Sequence, residues 1–208
     1  AYLVPLWDNG AVRAAQDALK GAFAPSDTWG PWQAMAICRA MLPKDTLATA
    51  DSGAHRILLS QMWQCEFPRA IMQSSALCTM GCAVPLAMGA QIVEPDRTVV
   101  SFSGDAGFLM VAGEMATAAE QNLKTIFVVF VDASLALIEL KQRGRQMKNR
   151  GVDFGRVDFA AIAGAFGGQG FSAKSKPELE DALTSAMSSD TFSIVAVDIF
   201  RKAYDGTF

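Results

Sequence analysis

An aspartate stands at the end of each of two successive apolar stretches, and the segment between them has the length of a single helix. The first stretch runs Arg97-Thr-Val-Val-Ser-Phe-Ser103 and leads into Gly104-Asp105-Ala106-Gly107. The second runs Thr125-Ile-Phe-Val-Val-Phe-Val131 and leads into Asp132. From Phe108 to Gln121 apolar residues recur at helical spacing, which predicts a β-α-β crossover and hence parallel strands. Neighbouring strands lie about 4.8 Å apart. If these two pair directly, both carboxylates emerge at the carboxyl edge, where open α/β sheets bind ligands, and can share one hard dication. Gly107 is expected to open a helix whose free N–H groups hold an anionic phosphate. The dipeptide alone has a blander reading, a strand–helix corner with an aspartate capping the helix.

The rest of the chain extends the pattern. Strands are expected near Leu47–Ala50, Ala70–Met72, Thr98–Ser103, Thr125–Val131, Gln169–Ala173 and Phe192–Ile199. Helices are expected near Gln33–Met41, Ala54–Trp63, Thr79–Ile92, Phe108–Gln121, Phe159–Phe166 and Pro177–Ser188. This alternation predicts an α/β fold of three layers, a six-stranded, mostly parallel sheet with helices on both faces. Hydrophobic residues make up 51% of the 208, as a sheet buried on both faces requires. Residues 1–30 differ. Pro5, Trp7, Pro25 and Trp29 punctuate a polar helix around Val12–Gly21, and the stretch reads as a linker from a preceding domain, with the domain proper at 31–208. The chain begins without Met, compatible with a processed chain or an excised piece.

A net charge of −3 with no strongly basic face argues against nucleic acid as a partner. Cys38, Cys65, Cys78 and Cys82 form no CxxC pair; Cys78 and Cys82, helix neighbours in an apolar stretch, read as small core residues, and a reducing cytoplasm is expected. From Ala76 to Val93 no residue is charged, yet Thr79, Gly81, Pro85, Gly89 and Gln91 make it weakly apolar for lipid, so a helix packed on the sheet of a soluble chain is expected. The stretch Leu135–Gly151 turns basic at Lys141, Arg143, Arg145, Lys148 and Arg150. It reads as a solvated loop, or as a mobile cover whose arginine meets a substrate carboxylate. Glu114 and Glu139 read as helix-surface or capping carboxylates. His55, the sole histidine, reads as touching diphosphate or substrate.

The residues around the two aspartates resemble the cofactor motif of thiamine-diphosphate enzymes, in which Gly-Asp-Gly is followed, one helix later, by Asn or Asp. The resemblance puts magnesium on Asp105, Asp132 and the carbonyl of Ser134, with the diphosphate against Gly104, Asp105, Ala106 and Gly107. Ala106 replaces the usual glycine, and Asp132, in place of the commoner Asn, looks like the catabolic acetolactate synthases. Asp51-Ser-Gly-Ala-His55 resembles the Asp-x-Gly-x-His loop of acetolactate synthases, which places Gly53, Ala54 and His55 on the diphosphate. Gln73 to Gly81 resembles the Ser-x-Gly-x-x-Thr-Met-Gly stretch, which gives Thr79 and Met80 to the cofactor, Met80 as the wedge that bends it. Gly151 to Phe159 resembles a stretch of the catabolic enzymes, and the likeness runs from about Trp32 to Ile199.

What the resemblance implies is the C-terminal pyrophosphate-binding domain of an acetolactate-synthase-like enzyme, or the matching subunit of a split one. Its cofactors would be thiamine diphosphate and Mg2+, its substrate a 2-oxo acid such as pyruvate, its reaction decarboxylation and transfer of a two-carbon unit to a carbonyl acceptor. The activating glutamate of this family lies on a separate pyrimidine-binding domain, so a partner domain or subunit and a homo- or hetero-oligomer are expected, and no turnover by the chain alone. Two other readings stay open: a simple 2-oxo acid decarboxylase subunit, and a non-catalytic metal- or nucleotide-binding α/β module. A dinucleotide fold of the G-x-G-x-x-G kind is disfavoured, since that run does not follow the first strand.

Overall fold

In the computed structural model, residues 10–23 and 27–206 are described; Pro5, Trp7 and Pro25 of the expected linker lie outside them. Six strands form one parallel sheet: β1 (Leu47–Ala50), β2 (Ile71–Gln73), β3 (Val99–Gly104), β4 (Ile126–Val131), β5 (Gln169–Ala173) and β6 (Ser193–Asp198). Their order is β2-β1-β3-β4-β6-β5, and every pairing is parallel. The expected strands are all present, the second and third shifted by one residue, the fourth starting one residue later and the sixth one residue shorter at each end.

The apolar runs are continuous because both faces of the sheet are covered. In β4, Ile126, Val128 and Phe130 point into one core with Val100, Phe102, Val195 and Val197. Phe127, Val129 and Val131 point into the other with Phe108, Met115, Phe159 and Phe192. The first core is closed by α2 (Pro31–Met41), α3 (Ala54–Met62) and α9 (Lys176–Met187); the second by α4 (Ala83–Val93), α5 (Asp105–Leu109), α6 (Met115–Glu120) and α8 (Phe159–Ala165). Helix α1 (Ala11–Ala22) buries no residue, and α7 (Ala136–Gly144) follows β4. No helix among the described residues is long and apolar enough to cross a membrane.

The chain steps from β1 outward to β2 and then returns to the other side of β1 with β3. Helices α3 and α4 leave on opposite faces, so a crevice opens between the carboxyl ends of β1 and β3, the usual ligand position of such sheets.

Three helical expectations need correction. The helix expected at Thr79–Ile92 begins only at Ala83, because Gly81 takes a left-handed conformation (φ +80°) in the turn before it. The helix expected at Phe108–Gln121 is three pieces, α5, a 3-10 turn at Ala112–Glu114 and α6. It starts at Asp105, so Gly107 is its third residue rather than its opener. The basic stretch is not simply a loop: Ala136–Gly144 is helical.

Candidate functional site

Strand register decides the geometry. Gly104 pairs with Phe130, so Asp105 and Asp132 leave the sheet side by side at its carboxyl edge. The Asp105 carboxylate organises the turn after β4: Oδ2 accepts the N–H of Asp132 (3.1 Å) and of Ala133 (2.7 Å), while Oδ1 accepts its neighbour's N–H, that of Ala106 (2.8 Å). The bond to Asp132 keeps the two α-carbons within roughly 8 Å by covalent lengths alone. Ala106 is not among the positive-φ residues, so its side chain fits where the family motif carries glycine.

Both carboxylates are nearly buried, at 2% and 5% exposure. Asp132 Oδ1 accepts the Ser134 N–H (3.0 Å), but Oδ2 is buried without a partner. Burial, and then the adjacent Asp105 charge, push the Asp132 carboxyl up to about 7. Burial also raises Asp105, against the lowering effect of its three N–H bonds. An unpaired buried carboxylate oxygen is costly, and a cation beside it removes that cost. Among the described residues no three His, Cys, Asp or Glu side chains are grouped so that together they could hold a metal ion. A cation here would therefore complete its shell with backbone, phosphate or water oxygens, as a small hard ion does.

Opposite this pair lies a second carboxylate knot. Asp51, fully buried after β1, accepts the Gly81 N–H on Oδ2 (2.6 Å) and bonds His55 Nε2 with Oδ1 (2.8 Å). His55 stacks on Phe130 with ring centroids 6.1 Å apart, and its ring lies against Gly53, where a Cβ would crowd it. One ring nitrogen is thus committed to Asp51, which fixes the imidazole as a wall of the site.

The crevice is a cavity of about 130 Å³. Its polar side comprises Ser52, His55, Asp105, Asp132 and Ser134; its apolar side includes Met80, Leu135, Leu137, Ile138, Ile199 and Tyr204. Gly53, Ala54, Gly104, Ala106 and Gly107 also line it. The structure thus brings together the expected site residues with one exception. Thr79 is exposed and does not line the cavity; its carbonyl instead accepts the Ser52 N–H (3.4 Å). Sequence reading missed the apolar start of α7 and Tyr204. Only the apolar run Leu135–Ile138 could have pointed to the first, since Tyr204 arrives from the far end of the chain.

The basic segment differs from its expected role. Arg143 bonds Glu139 through Nε and Nη2 (both 3.1 Å) and pairs with Asp205. Glu139 is accordingly buried rather than a surface carboxylate, and Arg143 ties α7 to the turn that holds Asp205 instead of facing the cavity. Glu114 sits in the exposed 3-10 turn.

A parallel α/β domain with paired carboxylates at its switch-point crevice is a domain built to seat a cation and an anionic cofactor. Residues 51–197 match the family described as thiamine pyrophosphate enzyme, C-terminal TPP binding domain, and the chain belongs to that family. The usual cofactors of such domains are thiamine diphosphate and Mg2+. The chain is 36% identical over 166 residues to the catabolic acetolactate synthase of Raoultella terrigena, covering 78% of this chain and 30% of that protein. It is 31% identical over 174 residues to the acetolactate synthase of Bacillus subtilis (strain 168), covering 84% and 30%. It is 33% identical over 147 residues to the acetolactate synthase isozyme 1 large subunit of Escherichia coli (strain K12), covering 69% and 25%. The chain thus spans under a third of the length of these relatives.

Proposed function

We propose that this chain is the pyrophosphate- and magnesium-binding part of an acetolactate-synthase-like enzyme acting on a 2-oxo acid such as pyruvate. The observation that carries the reading is the buried, unpartnered Oδ2 of Asp132 beside Asp105 at the crevice. Asp105, Asp132 and the Ser134 carbonyl would hold the magnesium. Gly53, Ala54, Gly104, Ala106 and Gly107 offer small, close-approach surfaces to the diphosphate, and half-buried Met80 lies at the cavity wall as the cofactor's support. When bound, thiamine diphosphate supplies the electron sink for losing CO₂ from the 2-oxo acid and passing the two-carbon unit to a carbonyl acceptor.

The chain's own residues anchor and orient. Asp51 fixes His55 and the Gly81 turn, and the apolar side from Leu135 to Ile138 with Ile199 keeps water from the reacting end. Residues 1–30 are read as a linker from a preceding domain, and the activating glutamate is read as belonging to a pyrimidine-binding partner within an oligomer. Calorimetric titration of thiamine diphosphate with and without Mg2+ tests the reading. Magnesium-dependent binding that Asp105→Ala abolishes is expected; affinity indifferent to both magnesium and Asp105 would refute it.

A further inference from the structure

Between the two residues assigned to magnesium, Asp132 and Ser134, stands Ala133 in the left-handed region at φ +55°, a conformation sterically unfavourable for an L-residue. The strain has a geometric purpose. It turns two consecutive N–H groups, those of Asp132 and Ala133, onto the same Asp105 oxygen, and it lets the Ser134 N–H close back on Asp132 Oδ1. Something must hold the kink. On its other side the Ala133 carbonyl accepts two bonds, from the Phe154 N–H (3.2 Å) and from Arg201 Nη2 (3.0 Å).

The sheet explains why an arginine from the far end of the chain is there. β6 pairs with β4 as far as Val131 opposite Asp198, and the Ile199 N–H continues the ladder to the Val131 carbonyl (3.1 Å). Arg201, two residues past Ile199, is thereby delivered alongside Ala133, two residues past Val131. Its Nη1 also pairs with Asp153 (3.3 Å), which makes an isolated antiparallel bridge with Ser134. Both partners of that ion pair are partly exposed, at 46% and 38%, so it adds little; the charge-assisted bond to the nearly buried Ala133 turn carries more.

We propose that Arg201 is a positioning residue for the 132–134 turn, clamping Ala133 in its left-handed form so that both aspartates face the crevice. Its functional meaning rests on the magnesium reading above, and the test separates the two.

Amide hydrogen exchange of the 208-residue chain, without metal, reads the turn directly. Loss of one charge-assisted bond in Arg201→Gln is expected to speed exchange at the Ala133 N–H about tenfold, with Val128 in β4 unchanged. Arg201→Lys, which keeps the charge and a donor, is expected to recover part of the protection. Adding Ala133→Gly to Arg201→Gln is expected to recover most of it, because glycine adopts this conformation without the steric cost. Equal exchange at Ala133 in wild type and Arg201→Gln overturns the clamp, and so does equal acceleration at Val128, which would mark a general loss of stability. Mg2+ alone, titrated into the wild type, is expected to shift the Asp132 and Ser134 amide resonances, with a half-saturating concentration about tenfold higher in Arg201→Gln. Accelerated exchange in the variant together with no magnesium response in the wild type would uphold the clamp and overturn the magnesium assignment.

Discussion

Gly107 lies flush against the Asp51 carboxylate: a Cβ built on Gly107 collides with Asp51 Oδ2. The third residue of α5 and the first residue after β1 thus meet across the crevice with no room for a methyl group. Asp51 cannot yield freely, because the same oxygen accepts the Gly81 N–H and its other oxygen bonds His55. The two loops that would cradle a diphosphate are therefore set against each other by one contact.

Gly107→Ala tests that contact. Overpacking of a tight site costs about 1–3 kcal/mol, and displacing Asp51 would also strand the Gly81 N–H. We expect a lower urea midpoint and weaker thiamine diphosphate binding. Gly113→Ala, where a Cβ meets nothing within 4 Å, is the matched control and should change neither.

Asp105 has a structural role and a proposed ligand role, which substitution can divide. Asp105→Ala removes the acceptor of three N–H groups, those of Ala106, Asp132 and Ala133, at a cost of about 1–3 kcal/mol for each group left dry. Asp105→Asn keeps a carbonyl oxygen for the Asp132 and Ala133 N–H groups, with its NH2 toward the Ala106 side, while removing the charge. The Asn variant is expected to unfold much nearer the wild-type midpoint yet to lose magnesium-dependent cofactor binding. Cofactor affinity in Asp105→Asn equal to wild type, with the same magnesium dependence, would show that the carboxylate charge is not needed for the ion.

The pH dependence has a definite sign. In the metal-free chain Asp132 is raised from 3.8 to about 7, chiefly by burial and then by Asp105. Between those values the folded chain holds a proton that the unfolded chain has lost. This contribution to stability is fully present below the unfolded value and is lost as pH rises through about 7. Stability of the metal-free chain should therefore decline from mildly acidic toward neutral pH, and Asp132→Asn should flatten the decline. A dication needs the ionised form, so magnesium binding at pH 6 should release about one proton. Calorimetry in buffers of different ionisation enthalpy measures that release; none at pH 6 would contradict the raised carboxyl.

The sheet and the carboxylate pair were legible in the sequence because both are local: strand alternation, a strand-end aspartate and one intervening helix length. The errors lie where tertiary contacts outweigh local pattern. Phe108, Met115 and Ala118 stay on one buried face through the break at 110–114, so a broken element reads as one helix. The start of α4 is set by Gly81, whose N–H is claimed by Asp51 thirty positions earlier in the chain. The basic stretch reads as solvated because its partner Asp205 lies 62 residues away in sequence. Arg201 was invisible for the same reason: only the β4–β6 register brings it to Ala133.

The last prediction concerns turnover. The carboxylates among the described cavity-lining residues are Asp105 and Asp132, and both are engaged with turn N–H groups and assigned to the ion. His55 is held by Asp51 and packed on Phe130. None of these groups is free to activate the cofactor's pyrimidine ring. The purified 208-residue chain, supplied with thiamine diphosphate, Mg2+ and pyruvate, is expected to release no CO₂ above an Asp105→Ala control. Activity should appear when a pyrimidine-binding domain with its glutamate is added, and should disappear again when that glutamate is replaced by glutamine. Steady CO₂ release by the chain alone would mean that one of its own residues performs the activation, with His55 the first candidate to substitute.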